Sequence, residues 1–600
     1  MAPVTSAVSA GRNRQRLTQQ DREPDSSAML HRPALSLCNV LFGALLAVSS
    51  VGCDGCQGQP SSTTSPSGAT EAVTSTPLLA RVPGDVAGVL VLRDWDAISS
   101  LYRSLRPRLE TLTQLGVVET DLRNTAGIDL QHPETLVEIG VAYPGQAALV
   151  APASGRSWIL LALSDAARFE PHVTRVFTGQ PFNFSGPVER LEDPAGVVLG
   201  FRSAEGAPVQ LQVAIGSSHA AFLTGESDLQ RGLALLASPS APSMADSAAF
   251  QAIFASDPRD PVVFHGTGVG LRSVLNNVAS GGITDVMGME QLEALQTLSL
   301  GVNADADSID ARVVLGVSER AAQQFGEMAS ASAEPPDFGR LTLDSTYALA
   351  RFTLKSDTAL QFWLSELSES KRAEVQTQID AFSERVGLQL ATEVLPALGT
   401  SGFLMATETR MLTLRRAVQA PLDEPGALFT GLGLVIGMRI HDRSLIEQLV
   451  TQLVATSDGR ATSFSESGNT VVQFNDEQAD VGSIVLTDDF LLLVPSRDRE
   501  AFLTAMNDAQ AGRTFDEPRA QAMLSEPVAN GIYIDLARVL GGPLGAFLTE
   551  GVNEQTRTTL ASLRDLYLSI QTTPTGLEAD FSVRFAAADG APESGSGATP

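Results

Sequence analysis

Leu295-Gln-Thr-Leu-Ser-Leu-Gly-Val302 and Leu563-Arg-Asp-Leu-Tyr-Leu-Ser-Ile570 repeat one another, and the likeness runs on without a gap through Ile309-Asp-Ala311 and Leu577-Glu-Ala579. Working outward, three more pairs keep the same order along the chain. Ile159-Leu-Leu-Ala-Leu-Ser-Asp165 matches Ile436-Gly-Met-Arg-Ile-His-Asp442, and Val213 to Leu223 matches Ile484 to Val494. Val89 to Ile98 matches Arg351 to Leu360 as a strand running into a helix. The weaker pair Gly127-Ile-Asp-Leu130 and Gly387-Leu-Gln-Leu390 precedes short helices ending at Gly140 and Gly399. Collinear matches at one approximate offset read as an internal duplication. The expected organisation is a repeat over 78–325, a linker over 326–339 that holds Met328-Ala-Ser-Ala-Ser-Ala-Glu-Pro-Pro336, and a second repeat over 340–587.

Within a repeat the pattern reads strand, helix, short helix, two strands, helix and a meander of three strands. A helix, a strand, a helix and a closing hairpin follow. Strands such as Val209-Gln-Leu-Gln-Val213 and Phe581-Ser-Val-Arg-Phe585 alternate, which places one face in a core and leaves the other polar. The expected class is α+β: two copies of one module, with largely antiparallel sheets covered by helices on one side.

The N-terminus predicts export. Residues 1–28 are polar; then Met29-Leu-His-Arg32 precedes an apolar run from Ala34 to Val51 and the small residues before Cys53. Basic, apolar and small segments in that order make a secretory signal. Translation is expected to start at Met29 rather than Met1. Residues 57–77, rich in Ser, Thr, Gly and Pro, cannot bury enough apolar surface to fold and read as a tether. The apolar run is also close to the length of a membrane span, so an uncleaved anchor is the competing reading. Cys53-Asp-Gly-Cys56 has CxxC spacing but no strand–helix unit around it. The third cysteine, Cys38, also precedes the body, which therefore has no thiol chemistry and no disulfides. The tail 588–600 is Gly/Ser/Pro-rich and reads as disordered.

Net charge is −28, and −30 once residues 1–52 are removed; the only lysines are Lys355 and Lys371. A body this acidic repels nucleic acid, whose binding needs phosphates neutralised by Lys and Arg. No nucleic-acid partner is expected.

Ser50-Val-Gly-Cys53 resembles a bacterial lipobox, with Cys53 the lipidated residue and Ser50 a departure from the usual Leu. Together with Arg81-Val-Pro-Gly-Asp85 and the segment from Gly127 to Gly140, it makes the chain similar to a loosely defined family of bacterial envelope lipoproteins. The resemblance implies a lipid-anchored protein with its body in the periplasm or on the outer surface, and no functional residues beyond Cys53.

The duplication also weighs candidate chemistry. His172, His219 and His441 fall opposite Leu449, Phe490 and Ser164, and His132 lies near Ala391, so no catalytic base is common to both repeats. His265-Gly-Thr-Gly-Val-Gly270 looks like a dinucleotide-binding turn, but it falls opposite Gly531-Ile-Tyr-Ile, without the glycines. Asp165, Asp442 and Asp357 read as helix caps. Asp305, Asp307 and Asp310 read as a turn rather than a calcium site. No metalloprotease, P-loop or nucleophile-elbow motif occurs. The expectation is therefore a non-enzymatic protein without cofactor or metal, held to a membrane by its N-terminal lipid. It would bind a hydrophobic small molecule or another envelope protein in a cleft between the repeats. A scaffold component and a hydrolase with an unrecognised site are the alternatives.

Overall fold

The computed structural model describes residues 78–586 apart from internal stretches, the longest being 271–293, 329–341 and 408–432. The first half runs β1 (Gly88–Leu92), α1 (Trp95–Thr113), a 3-10 turn (Pro133–Ile139), β2 (Ala147–Ala151), β3 (Trp158–Ala162) and α2 (Ala166–Thr178). It continues with β4 (Glu189–Asp193), β5 (Gly196–Phe201), β6 (Leu211–Ile215), β7 (His219–Thr224), α3 (Leu229–Ala237) and α4 (Ala248–Ser256). β8 (Val262–Thr267), β9 (Leu295–Ala304), β10 (Ser308–Val317) and α5 (Glu319–Met328) close it. α5 thus runs past residue 325, into the stretch expected to be linker.

The second half runs β11 (Thr346–Thr353), α6 (Ser356–Glu366), α7 (Glu369–Val386), a short helical stretch from Leu390 to Ala397, β12 (Leu398–Thr407), β13 (Leu434–Ile440) and α8 (Arg443–Ala455). Next come β14 (Ala461–Glu466), β15 (Asn469–Phe474), β16 (Ser483–Leu486), β17 (Phe490–Val494), α9 (Arg499–Asn507) and α10 (Pro518–Ser525). β18 (Asn530–Ile534), α11 (Leu536–Gly541), α12 (Pro543–Leu548), α13 (Glu554–Ala561), β19 (Leu563–Thr573) and β20 (Gly576–Phe585) complete the described residues.

The twenty strands form one sheet. In the first half the strands lie in the order β4-β5-β6-β7-β3-β2-β1-β8-β9-β10. β10 pairs with β20, and the order continues β20-β19-β18-β11-β12-β13-β17-β16-β15-β14. Every one of these ladders is antiparallel, and helices cover the sheet, so the class is α+β. Both ten-strand halves pair in one order. The hairpin β9–β10 has its extra residue at Gln296, and β19–β20 has it at Arg564, 268 positions on. A bulge pins register, so within this hairpin the correspondence holds residue by residue. At the seam Arg312 faces Asp580, its own counterpart.

The offsets of 277, 271 and 268 read from the sequence pairs are those of the ladders. The pair Val89 to Ile98 with Arg351 to Leu360 is corrected by two residues. Val89 pairs with His265 and Leu349 with Tyr533, so Tyr533, not Gly531, corresponds to His265. A two-residue slip keeps every side chain on its face, so alternation alone cannot detect it. The meander has four strands, not three; β4 is the charged, exposed edge Glu-Arg-Leu-Glu-Asp, which lacks an apolar signature.

Helices also cover both faces, not one. On one side, here the back, Val89, Val150, Leu160 and Ala221 pack under α3 and α4, and Leu349, Met405 and Val485 under α9 and α10. On the front, Phe201, Val213 and Ile215 pack with Phe169 and Val173 of α2, and Val472 and Leu486 with Ile446 and Leu449 of α8. β6 is therefore buried along its whole length, Gln212 included, although its sequence alternates.

Asp165 caps α2 by accepting from the N–H groups of Ala167 and Arg168, and Asp442 caps α8 by accepting from Leu445. Asp357 does not cap α6; it lies one residue inside the first turn. Both capping strand ends are clamped alike. The Gly140 carbonyl accepts from Ser164 and Asp165 at 3.0 and 3.1 Å, and the Ala397 carbonyl accepts from His441 and Asp442 at 2.8 and 3.0 Å. Ala397, rather than Gly399, thus corresponds to Gly140. Gly140 differs in its backbone, with φ +87°, and a Cβ there would lie 2.3 Å from the Asp165 carbonyl oxygen. Gly140→Ala should therefore cost more than about 1 kcal/mol, read as a lowered urea midpoint. An unchanged midpoint would show that the turn relaxes freely.

Candidate functional site: an apolar stripe across the sheet

Antiparallel pairing sets cross-strand neighbours on one face, and this builds a continuous surface on the front. One row runs Ile159, Leu149, Leu90, Phe264, Leu300, Val313, Ala579, Ile570. A second runs Ile436, Leu404, Ala350, Ile532, Leu568, Phe581, Ala311, Val302. Position by position the second row is the counterpart of the first. Between them the rows cross the twelve strands from β3 to β13, about 50 Å at the usual strand spacing.

These side chains are incompletely covered. Ile159 is 45% and Leu404 36% exposed, Val302 is buried, and the rest are half-buried. Their neighbours on the back face of the same strands (Val89, Val150, Leu160, Val263, Leu349, Phe403, Val435) are at most 1% exposed. Over the centre, α1 packs on β9 and against α13, α13 packs on β19, and α11 packs on β11 and β19. Val539 and Leu544 of α11 and α12 close on Ala348, Ala406, Leu434 and Ile534.

The back of the four central strands is the opposite in character. Arg312 contacts Glu578 and lies 4.0 Å from Asp580. Asp565, fully buried, accepts two 2.9 Å bonds from Nε of Arg584 and a 2.5 Å bond from its Nη2. Arg584 Nη2 also donates to Glu517 at 2.5 Å. Burial opposes the guanidinium charge, but the bonds to Asp565 and Glu517 outweigh it and raise its pKa.

A separate cavity of about 660 Å³ lies within the first half, where β1 and β3 end and β2 and β7 begin. It is lined by Arg81, Arg93, Asp94, Gln146 and His219 among others. Arg81 donates to the Leu236 carbonyl at 2.9 Å, and Arg93 donates to the Phe254 carbonyl and stacks 3.8 Å over the Phe254 ring. Burial, and secondly the charge of Arg81, lower the His219 pKa to about 4, so its ring is neutral at pH 7.

The residues singled out in the sequence do not converge. His132 is an exposed partner of Glu134, His172 a half-buried partner of Arg175, and His441 serves the Ala397 clamp through its backbone. His265 bonds Ser299 at 2.7 Å, but both are 2% exposed, and the His265 ring packs edge-to-face with Phe250, out of reach of a substrate. His265, Gly266 and Thr267 continue β8 rather than forming a phosphate turn. Asp305 accepts from the N–H groups of Asp307 and Ser308, which is a hairpin turn, and Asp310 accepts from the Ser308 hydroxyl. Among the described residues no cluster of three or more His, Cys, Asp or Glu could hold a metal ion. No described helix is long and apolar enough to cross a membrane. Cys53, the tether and the tail lie outside the described residues. The expected cleft between repeats takes a different form: the halves are joined strand to strand by β10 and β20, and the apolar surface spans that seam on the face of the sheet.

The stripe was not legible beforehand. Its alternating apolar residues are visible in the sequence, but how completely helices cover them is not.

No known family model matches the chain, and no curated protein does. Among solved structures, crystal forms I and IV of TP0453 are similar at 13% identity, covering 41% and 40% of this chain and 80% and 81% of that one. The TM-score is 0.24 in both cases, too low to carry any argument about this chain.

Proposed function

We propose that this chain is an exported, lipid-anchored envelope protein, built from two copies of one module, that binds a hydrophobic small molecule on the front of its sheet without chemistry of its own. The incompletely covered stripe carries this reading. Contiguous apolar surface of this extent is uncommon on soluble proteins and marks interaction sites. The sixteen positions of its two rows hold no nucleophile, acid or base. The lipobox resemblance at Cys53 and the tether over 57–77 support placement at a membrane surface, and the acidic body argues against nucleic acid.

Native mass spectrometry of residues 60–600, purified gently without the lipid, tests the reading. The expected result is extra mass, lost on denaturation, from an apolar compound. A clean mass that stays clean after incubation with apolar compounds would sink it and favour a scaffold role.

A further inference from the structure

We infer that the cavity within the first half is a second binding site, separate from the stripe, for a small organic monocarboxylate. Arg81 and His219 meet its carboxylate, and Leu78 and Leu163 meet its apolar body.

The duplication brings the site out. Among the lining residues, His219 corresponds to Phe490, which packs against the core of the second half. Arg93 and Gln146, one step beyond the Leu92–Ala147 pair, correspond to Thr353 and Ser401. The module therefore folds with an apolar ring where His219 stands. His219 is 5% exposed; its Nδ1 lies 3.4 Å from the Ser218 hydroxyl, and its Nε2 has no hydrogen-bond partner. A buried polar atom left in that state costs stability, which the phenylalanine of the other half avoids. The fold gives no reason for a histidine here. An occupant of the cavity that bonds Nε2 does.

Charge selects the sign of that occupant. Among the described residues lining the cavity, the charged ones are Arg81, Arg93 and Asp94, two positive and one negative, in a chain of net charge −28. Asp94 serves the start of α1, where its Oδ1 accepts from the Asp96 N–H at 3.0 Å. The two guanidiniums are held by the last turns of α3 and α4, through the carbonyls of Leu236 and Phe254. A guanidinium has five N–H donors in a planar fork that suits a carboxylate, so a bond to one carbonyl orients it for a second partner. His219 is neutral at pH 7 and supplies a hydrogen bond rather than charge. The surplus of one positive charge matches a monoanion.

The remaining wall sets the body. Leu78, Ala142, Pro144, Ala162 and Leu163 are apolar, and offer nothing to a bare inorganic ion. A volume of about 660 Å³ falls within the usual range for small-molecule sites, about 300–1,000 Å³, and such sites are mostly apolar with a few placed polar groups.

Titration calorimetry on the full mature chain with Cys53→Ser tests this, with phenylacetate, phenylacetamide, acetate and inorganic phosphate as probes. Phenylacetate is expected to bind once per chain, at least tenfold more tightly than the other three. His219→Phe, which installs the residue of the other half, should keep or raise the urea midpoint and weaken phenylacetate at least tenfold. Should it fail to fold, Arg81→Gln takes its place: the amide can still donate to the Leu236 carbonyl, and the charge is gone. Phosphate bound most tightly would mean a site for inorganic anions, and phenylacetamide bound as tightly as phenylacetate a site blind to charge. Undiminished binding in the folded variant would put the site elsewhere. Each of these results overturns the proposal, as does binding of none of the probes. The stripe reading is decided separately, by uncharged apolar compounds, which His219→Phe should bind as the wild type does.

Discussion

Asp565→Ala should destabilise the protein by about 3–5 kcal/mol, the range for removing one partner of a buried ion pair. Asp565 is fully buried and takes three bonds from Arg584, whose side chain is 22% exposed. Without the carboxylate, the guanidinium keeps Glu517 but loses its bidentate partner in a site that water reaches poorly. Arg519 and Arg564, at 4.0 and 3.8 Å from Asp565, add uncompensated positive charge. The other half shows how the fold manages without this cluster. There the two positions are Thr297 and Gly316, and a Cβ on Gly316 would lie 2.2 Å from the Thr297 hydroxyl. The double variant Asp565→Thr, Arg584→Gly should therefore cost less than Asp565→Ala alone, since it removes the charge together with its partner. Urea unfolding of the wild type, Asp565→Ala, the double variant and its two single changes, Asp565→Thr and Arg584→Gly, decides this. A double variant that costs as much as the two single changes added would show that the two side chains act independently.

Acid should weaken the fold well above the pH at which most carboxylates protonate, with His265 the main contributor. Burial lowers its pKa to about 4, against about 6.5 for a histidine in an unfolded chain. Between those values the unfolded chain binds a proton that the native state refuses. Stability is full above about pH 6.5, falls as pH drops towards 4, and levels off below. For His265 the loss is about 3 kcal/mol. His219, lowered to about 4 as well, adds in the same direction, but less than its shift suggests because it lines a cavity that water enters. Urea midpoints at pH 7 and pH 4.5 measure the slope. His265→Gln removes the titration and should flatten it by about half or more; an unchanged slope would mean that His265 is not its source.

Particular residues show how much was legible. The Ser-Asp and His-Asp strand ends announced helix caps at Asp165 and Asp442, because a short carboxylate at that position has one local use. Asp357 has the same look and sits inside the helix, since cap position depends on where the first turn closes. The histidines read as unshared between repeats are indeed scattered, yet the Ser299 partner of His265 was invisible: 34 residues separate them, and a strand pairing joins them. The same holds for Asp565, Arg584 and Glu517, which sequence spreads over 67 positions.

By itself the sequence determined the α+β class and most of the strand-and-helix order, though not the edge strands β4 and β14, because these follow from local periodicity and turn chemistry, which act over a few residues. Tertiary structure alone decided that β10 and β20 fuse the halves into one sheet, that helices cover both faces, and that the apolar row on the front is least covered at Ile159 and Leu404, away from the central strands. Those outcomes depend on which surfaces meet across hundreds of residues, and an alternating strand looks the same whether its apolar side is sealed under a helix or left for something else to cover.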